Sequence, residues 1–387
     1  MILVTGMGVL SALGNSPQEL ALGLSQGRSG LAPFARWDAS WSRCRWAGAV
    51  EGLRLLPGQP RLEAMALQAG LQALEQANWR AEGEDPQRLG VFVSSSKGGM
   101  EAFGWGGQPS LEAYWPHRPG SSLRDRLGWQ GGGASYALAC ATGGYSLGAA
   151  YEAIREGRLD AALAGSVEAS LTPLVWRSFD GLGVLAPCGP AGDPPRGCFD
   201  LQSRGFCLGE GGGVLLLESE AHARWRGARP LAELAGWACT ADASHITTPD
   251  IHGRQAGRCL GLALSRAGIS PAELGHLSAH GTGTASGDLA EAAAIRLALG
   301  PAAARLPVSG IKPSVGHLLG ASASLEAAAA VLALEQGIIP ATLQAPEPRP
   351  GLGFELVRSP RRQMIATAAS LNMGFGGHNV CLAFRRA

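Results

Sequence analysis

Charge is scarce in this sequence and neither sign prevails. Lys and Arg together number 32 against 31 Asp and Glu, a formal net charge of +1, and charged residues fill only 16% of 387 positions. Nucleic-acid binders carry a basic excess or stripe; this sequence has neither, so no nucleic-acid partner is expected. No apolar run reaches the ~20 residues that span a bilayer without an interrupting Gly, Pro or charge, which argues against a membrane partner. The opening MILVTGMGVLSALG lacks a basic n-region and a small-residue cleavage site. It reads as a buried first strand and turn, and a cytoplasmic location is expected. The eight cysteines include no CxxC pair, so no metal site is expected. A disulfide framework does not suit a chain of this length without a secretion signal. Most of these thiols read as small buried hydrophobes.

What is present suits a well-buried globular protein: 46% hydrophobic residues and 57 glycines without a three-residue repeat. Short apolar runs at 2–4, 90–93, 161–165, 213–217 and 306–308 fit central strands covered on both faces. Ala-rich stretches at 61–76, 142–156, 257–267, 288–298 and 322–336 read as helices. This alternation predicts a layered α/β fold. A Pro/Gly-rich loop at 187–197 precedes a dense motif, a strand ending near Glu218 and a basic, polar stretch at 221–229. A boundary between two halves is placed near Arg229.

Five segments place chemistry-bearing residues among small ones. In Ala139-Cys140-Ala141-Thr142-Gly143-Gly144 an apolar stretch runs into a thiol, and a helix opens just after it. Free backbone N–H groups and the positive end of a helix dipole favour thiolate there. Taken alone, a buried Cys at a helix start explains the segment as well. His280-Gly281-Thr282-Gly283-Thr284 lies between a strand end at 277–279 and a helix opening with Asp288 and Glu291. A His on such a loop is placed for chemistry, and two Thr hydroxyls can bind an extended polar ligand; by itself such a His is more often structural. In the third segment, 312–321 (KPSVGHLLGA), His317 precedes an Ala-rich helix whose dipole disfavours imidazolium. A buried Lys312 needs an anion, and Glu326, among apolar neighbours, is the candidate. Gly374-Phe375-Gly376-Gly377-His378-Asn379 can bring backbone N–H groups to a carbonyl oxygen and swing as a gate. The segment from Asp200 through Phe206 to Gly211 suggests, alone, a turn and an ion pair.

In this order and spacing the segments resemble the β-ketoacyl-(acyl carrier protein) synthases of the elongating type and the ketosynthases of type II polyketide systems. The likeness spans nearly the whole chain, through VTGMGVLSALGN, ACATGG, DLQSRGFCLGEG, HGTGT, KPSVGHLLGA and GFGGHN. It implies the thiolase fold, two similar halves in five α-β-α-β-α layers, with 1–229 carrying the nucleophile and 230–387 the histidines. It further implies a homodimer or a heterodimer with another ketosynthase, substrates carried on the phosphopantetheine of an acyl carrier protein, and no cofactor or metal. By the same resemblance Cys140 takes the acyl group, and the N–H groups of Cys140 and Phe375 form an oxyanion hole with Phe375 as gate. His280 and His317 stabilise an enolate, Lys312 paired with Glu326 sets the local field, and Thr282 and Thr284 contact pantetheine. The implied reaction is decarboxylative Claisen condensation with malonyl-(acyl carrier protein), giving a 3-oxoacyl-(acyl carrier protein) in fatty-acid or polyketide synthesis. Initiating synthases pair Cys with His and Asn, and biosynthetic thiolases use a second Cys; His317 in the third position favours elongation. The alternative is a non-catalytic chain-length-factor partner, which lacks the nucleophile that Cys140 supplies here.

Three departures accompany the likeness. The stretch between Gly98 and Cys140 is short for an elongating enzyme. The segment at 179–186 (FDGLGVLA) has Gly183 where an Arg often stands, leaving Arg54 and Arg61 as the obvious basic residues near the early helix. Met373 replaces an aromatic before the gate. These changes point to a specialised ketosynthase.

Overall fold

The computed structural model describes residues 1–103, 111–189 and 192–387. Part of the short stretch before Cys140 (104–110) and the tip of the Pro/Gly loop (190–191) lie outside the described residues.

Ten strands form one sheet: β1 (Ile2–Leu10), β2 (Leu89–Ser94), β3 (Ala161–Glu168), β4 (Gly211–Ser219), β5 (Ala232–Ala241), β6 (Leu277–Ser278), β7 (Pro307–Ser309), β8 (Glu355–Leu356), β9 (Thr367–Gly374) and β10 (His378–Arg386). Their spatial order is β8-β7-β6-β9-β10-β5-β1-β4-β3-β2. Outward from the β1–β5 pair, β1 is antiparallel to β4, β4 to β3, and β3 is parallel to β2. On the other side β5 is antiparallel to β10, β10 to β9, and β9 is parallel to β6. On the β1 side the chain runs innermost strand, outermost strand, then the two between; on the β5 side β5, β6, β9 and β10 repeat that path, with β7 and β8 added beyond β6, so the topology repeats once along the chain. The two sides meet through Leu3↔Glu233 and Val4↔Ala232.

Six helices matter here: α1 (Arg61–Gln76), α2 (Thr142–Arg155), α3 (Pro173–Gly181), α4 (Arg254–Ala267), α5 (Ala285–Leu299) and α6 (Ser322–Gln336). Glycines show how closely the layers stack. A Cβ on Gly6 or Gly8 of β1 would stand 2.0 or 1.9 Å from a carbonyl oxygen of α1. A Cβ on Gly236 of β5 would meet Ala263 of α4 at 2.8 Å. Between these outer helices lie α2 and α6: Gly144 of α2 abuts Val380 of β10, and Gly213 of β4 abuts Ser324 of α6. Every residue of α6 from Ser322 to Leu334 is buried, so small Ala side chains let it pass between sheet layers at native packing density. The two sides of the sheet, joined only through the short β1–β5 pairing, thus supply two β layers, and the order α1, β, α2 with α6, β, α4 with α5 is the thiolase fold. Among the described residues no helix is long and apolar enough to cross a membrane.

The helices predicted at 61–76 and 322–336 match residue for residue, and 142–156 ends one residue early, at Arg155. Helix α5 begins three residues before its expected start because Thr284 caps it, its Oγ1 accepting from the Gly287 N–H at 3.2 Å. The β9–β10 hairpin was not predicted. Both strands are buried on both faces, so neither shows the alternation that betrays a half-exposed strand.

Candidate active site

Two quasi-equivalent turns, one in each half of the chain, carry the centre. Cys140 occupies a single helical turn (Ala139–Ala141) that leads into α2, and Leu319–Ala321 forms the same turn ahead of α6. Both turns open on a residue with positive φ, Ala139 at +47° and Leu319 at +53°, a conformation that non-Gly residues hold only where their surroundings impose it. Thr142 fixes the first turn: its Oγ1 donates to Ala139 O (2.8 Å) and accepts from the Leu138 N–H (2.9 Å).

The second turn orients an imidazole. The Leu319 N–H donates to His317 Nδ1 at 3.0 Å, and Ser322 Oγ lies 2.9 Å from the same nitrogen. Nδ1 is therefore an acceptor, and the ring proton sits on Nε2, 3.3 Å from Cys140 Sγ. His280 has the same polarity. Its Nδ1 faces Lys312 Nζ at 3.2 Å and Asn372 Nδ2 at 3.4 Å, both donors, so its proton also sits on Nε2. The two rings stand 5.5 Å apart at 83°. Burial, followed by the nearby Lys312 charge, holds both imidazoles well below their usual range. The centre thus presents two neutral N–H donors beside one sulfur.

Lys312 is the hub. Its ammonium donates to Glu326 Oε1 at 2.6 Å, to the His280 carbonyl, and towards His280 Nδ1. Asn372 donates to the other oxygen of Glu326 at 2.5 Å. The expected Lys312–Glu326 pair is present with both side chains almost fully buried, and every donor and acceptor of the pair is occupied, as a buried ion pair requires. The loop of His280 is held from behind by α5. Glu291 accepts from the backbone N–H groups of His280 (2.6 Å) and Gly281 (2.8 Å), and Asp288 from those of Phe199 (2.5 Å) and Gly283 (2.9 Å). Burial pushes Glu291 up to about 8 and Asp288 up to about 6.

One expectation fails. The position of Cys140 ahead of a helix was expected to favour thiolate. Burial instead pushes the thiol up to about 11, against the pull of Lys97, Lys312 and the Phe375 backbone N–H. The sulfur is enclosed, and desolvation of the anion outweighs the pull of both lysines.

Cys140, His280 and His317 open on a cavity of about 200 Å³ walled also by Thr282, Thr284, Phe179, Phe206, Met373 and Phe375. The two Thr hydroxyls lie 2.9 Å apart on this wall. The Phe375 ring stacks 6.3 Å from Phe179. Gly374 brings the Phe375 loop onto the Cys140 turn, where a Cβ would meet Leu138 O at 3.0 Å and the Cys140 and Ala141 nitrogens at 3.2 Å. Gly183, in the place of the frequent Arg, has φ +72° just past α3. Arg61 is no free docking residue, since it and Arg36 both pair with Glu210 at 2.6 Å.

Sulfur and imidazole nitrogens lie within 4.8 Å of one another, the one such cluster among the described residues. A soft cation accepts Cys and His donors, but the ammonium of Lys312 beside His280 opposes one here. Sequence reasoning missed Asn372 and Phe206, whose ring packs 4.6 Å from that of His317. Phe206 lay within a recognised motif as a plain apolar residue; nothing in the sequence around Asn372 marks it. That motif also ties the halves together at the site, as the Gly205 N–H and Ser203 Oγ both donate to Gly283 O, at 2.9 and 2.8 Å.

The chain matches the family described as "Beta-ketoacyl synthase, N-terminal domain" over residues 60–223 and "Beta-ketoacyl synthase, C-terminal domain" over 231–345. It is 34% identical to the 3-oxoacyl-[acyl-carrier-protein] synthase 2 of Synechocystis, covering 100% of this chain and 98% of the relative. The enzyme of the same name from Vibrio cholerae is 32% identical over 100% of this chain and 99% of its own. Among solved structures, a type II PKS acyl-carrier protein in complex with its ketosynthase bound to the hexaketide (AntDE:AntF) superposes with a TM-score of 0.90 at 29% identity, over 100% of this chain and 99% of that chain. A β-ketoacyl synthase from Burkholderia phymatum gives 0.89 at 28%, with the same coverage of both chains. With both domains matched and the relatives aligned from end to end, this chain is a member of the β-ketoacyl synthase family, a condensing acyltransferase.

Proposed function

We propose that this protein condenses an acyl group held on Cys140 with a malonyl unit carried by an acyl carrier protein. In the first half-reaction the Cys140 sulfur attacks the carbonyl of an acyl thioester. The tetrahedral oxyanion takes hydrogen bonds from the backbone N–H groups of Cys140 and Phe375, the pantetheine sulfur leaves, and it gains the proton that the thiol gave up. In the second, the malonyl thioester lies along Thr282 and Thr284 with its carbonyl oxygen at His280 and His317. The bond to the carboxylate breaks, CO₂ leaves, and the electron pair becomes an enolate held by the two Nε2–H donors. The enolate carbon attacks the Cys140 thioester, the carbon–sulfur bond breaks, and the freed thiolate is reprotonated. The product is a 3-oxoacyl chain on the carrier.

The observation that carries this reading is the shared polarity of the two imidazoles, each with its N–H turned away from a filled Nδ1 and each beside Cys140. A general base would need a free acceptor nitrogen; an enolate needs what is present, two neutral donors.

In this reading residues 1–229 and 230–387 are two halves of one duplicated unit, supported by the repeated strand order and the paired turns at Ala139 and Leu319. The protein works in the cytoplasm as a dimer, needs no cofactor beyond the pantetheine of its carrier, and serves fatty-acid or polyketide synthesis. The test is intact-mass analysis after incubation with acyl and malonyl carriers. Mass addition on Cys140 followed by a 3-oxoacyl carrier is expected. No acylation at any chain length would turn the reading to a non-catalytic partner subunit, and acetyl carrier without condensation product would reduce it to a decarboxylase.

A further inference from the structure

Of 32 basic side chains only two are lysines, Lys97 and Lys312, and the charge of each acts on the Cys140 thiol. Lys312 is fully accounted for. Lys97, just beyond β2, has no role in the steps above. Its Nζ donates to Ser96 Oγ at 2.7 Å and lies 6.0 Å from the centre of the Phe179 ring. That ring stacks on Phe375, and both wall the cavity opening on Cys140. Ser96 in turn packs against Gly320, in the turn after His317.

Lys312 has Glu326; Lys97 has no carboxylate within 4.0 Å among the described residues. The buried Glu168 is taken up by Ser95 Oγ (3.2 Å) and the Ser96 N–H (2.5 Å). Nor is Cys140 the missing anion, because its thiol stays protonated up to about 11. Lys97 is nevertheless the charge that acts most strongly on that sulfur, ahead of Lys312. A half-buried ammonium held only by a hydroxyl has donors open to an anion, and a negative group arriving on the Cys140 thioester takes them up. A plain alkyl chain does not.

We propose that Lys97 is a specificity-determining residue that pairs with a carboxylate at the far end of the acyl group on Cys140. The preferred substrates are then dicarboxylic half-thioesters rather than alkanoyl thioesters of equal length. This rests on Cys140 being the acyl-carrying nucleophile. The Lys97 ammonium itself lies over the Phe179 ring and holds one neutral hydroxyl, that of Ser96, so it keeps donors for an arriving carboxylate.

The test compares acylation rates of Cys140, by intact mass, for carrier-bound hexanoyl against adipoyl and octanoyl against suberoyl. The full chain is used, unaltered and as Lys97→Met, with Lys97→Gln as a second neutral variant. The carboxylated thioester is expected to be favoured by the unaltered protein, and the carboxyl-to-alkyl rate ratio to fall at least tenfold in both variants. A change below threefold at both lengths overturns the proposal while leaving the condensing reading intact. Failure of any thioester to acylate Cys140 overturns the condensing reading itself, and the proposal with it.

Discussion

His317 presents its Nε2–H to Cys140 across 3.3 Å, and the Leu319 backbone N–H on Nδ1 keeps it from turning that nitrogen into a base. In the proposed reaction the two residues therefore have separable tasks. His317→Ala is expected to lower malonyl decarboxylation by about 10²–10³, the usual loss for one oxyanion donor. Cys140 acylation should stay within about tenfold of the parent. Cys140→Ala should abolish condensation outright. Carbon dioxide release and intact mass measure the two steps independently, and equal decarboxylation by parent and His317→Ala would end the division of roles.

The raised thiol gives a pH signature. A cysteine pushed up to about 11 is mostly protonated throughout the neutral range, and its thiolate fraction rises about tenfold per pH unit until the pKa is reached. Alkylation of Cys140 by iodoacetamide in the free protein should climb with unit slope from pH 7 to about 10, without the plateau near 8.5 shown by an ordinary cysteine. A plateau below pH 9 would mean that Lys97 and Lys312 outweigh burial. Removing Lys312 as Lys312→Met should shift the profile to higher pH still, because that charge pulls the thiol down.

Lys312, Glu326 and Asn372 form a buried polar unit whose members depend on one another. Glu326→Leu leaves a buried ammonium without its anion and should cost about 3–5 kcal/mol. The double replacement of Lys312 by Met and Glu326 by Leu should recover most of that loss, since apolar groups of similar volume fill such sites almost neutrally. It should not recover condensation, because His280 would lose the donor that sets its tautomer. Thermal melts and decarboxylation assays on both variants separate stability from chemistry. A double variant with full activity would mean that the ion pair is structural only.

Much of this arrangement was legible in the sequence, for definite reasons. The helices α1 and α6 announce themselves because Ala-rich stretches bounded by Pro60 or Gly337 have little alternative. The reactive loops were visible because each packs glycines around one functional residue, and glycine is what close backbone approach demands. The state of the thiol was not legible. Helix position and dipole are local, whereas the desolvation that dominates Cys140 comes from α6, β9 and the Phe375 loop, distant in the chain. Asn372 was hidden for a related reason: in a strand buried on both faces a polar residue has no pattern to break. Lys97 left a faint signal in the scarcity of lysine, which gains meaning only once both lysines are seen to act on the same sulfur.

Gly374 tests the oxyanion geometry most directly. Its φ of −96° is open to any residue, so replacement by Ala introduces no backbone strain. What it introduces is a methyl group 3.2 Å from the Cys140 nitrogen and 3.0 Å from the Leu138 oxygen. Relief requires β9 and the Cys140 turn to part by a few tenths of an ångström, at the place where the proposed reaction needs the Cys140 and Phe375 N–H groups to converge on one oxygen. Hydrogen-bond donors in such a hole lose effect steeply with displacement, and misplacement of about 1 Å can cost about 10²-fold. Gly374→Ala is therefore expected to slow Cys140 acylation about tenfold. Iodoacetamide reactivity of the same thiol should stay nearly unchanged, because alkylation builds no oxyanion. If both reactions slow equally, the methyl group blocks access and the N–H pair has no special part in acyl transfer. If only acylation slows, the Cys140 and Phe375 N–H groups are the pair that stabilises the tetrahedral intermediate.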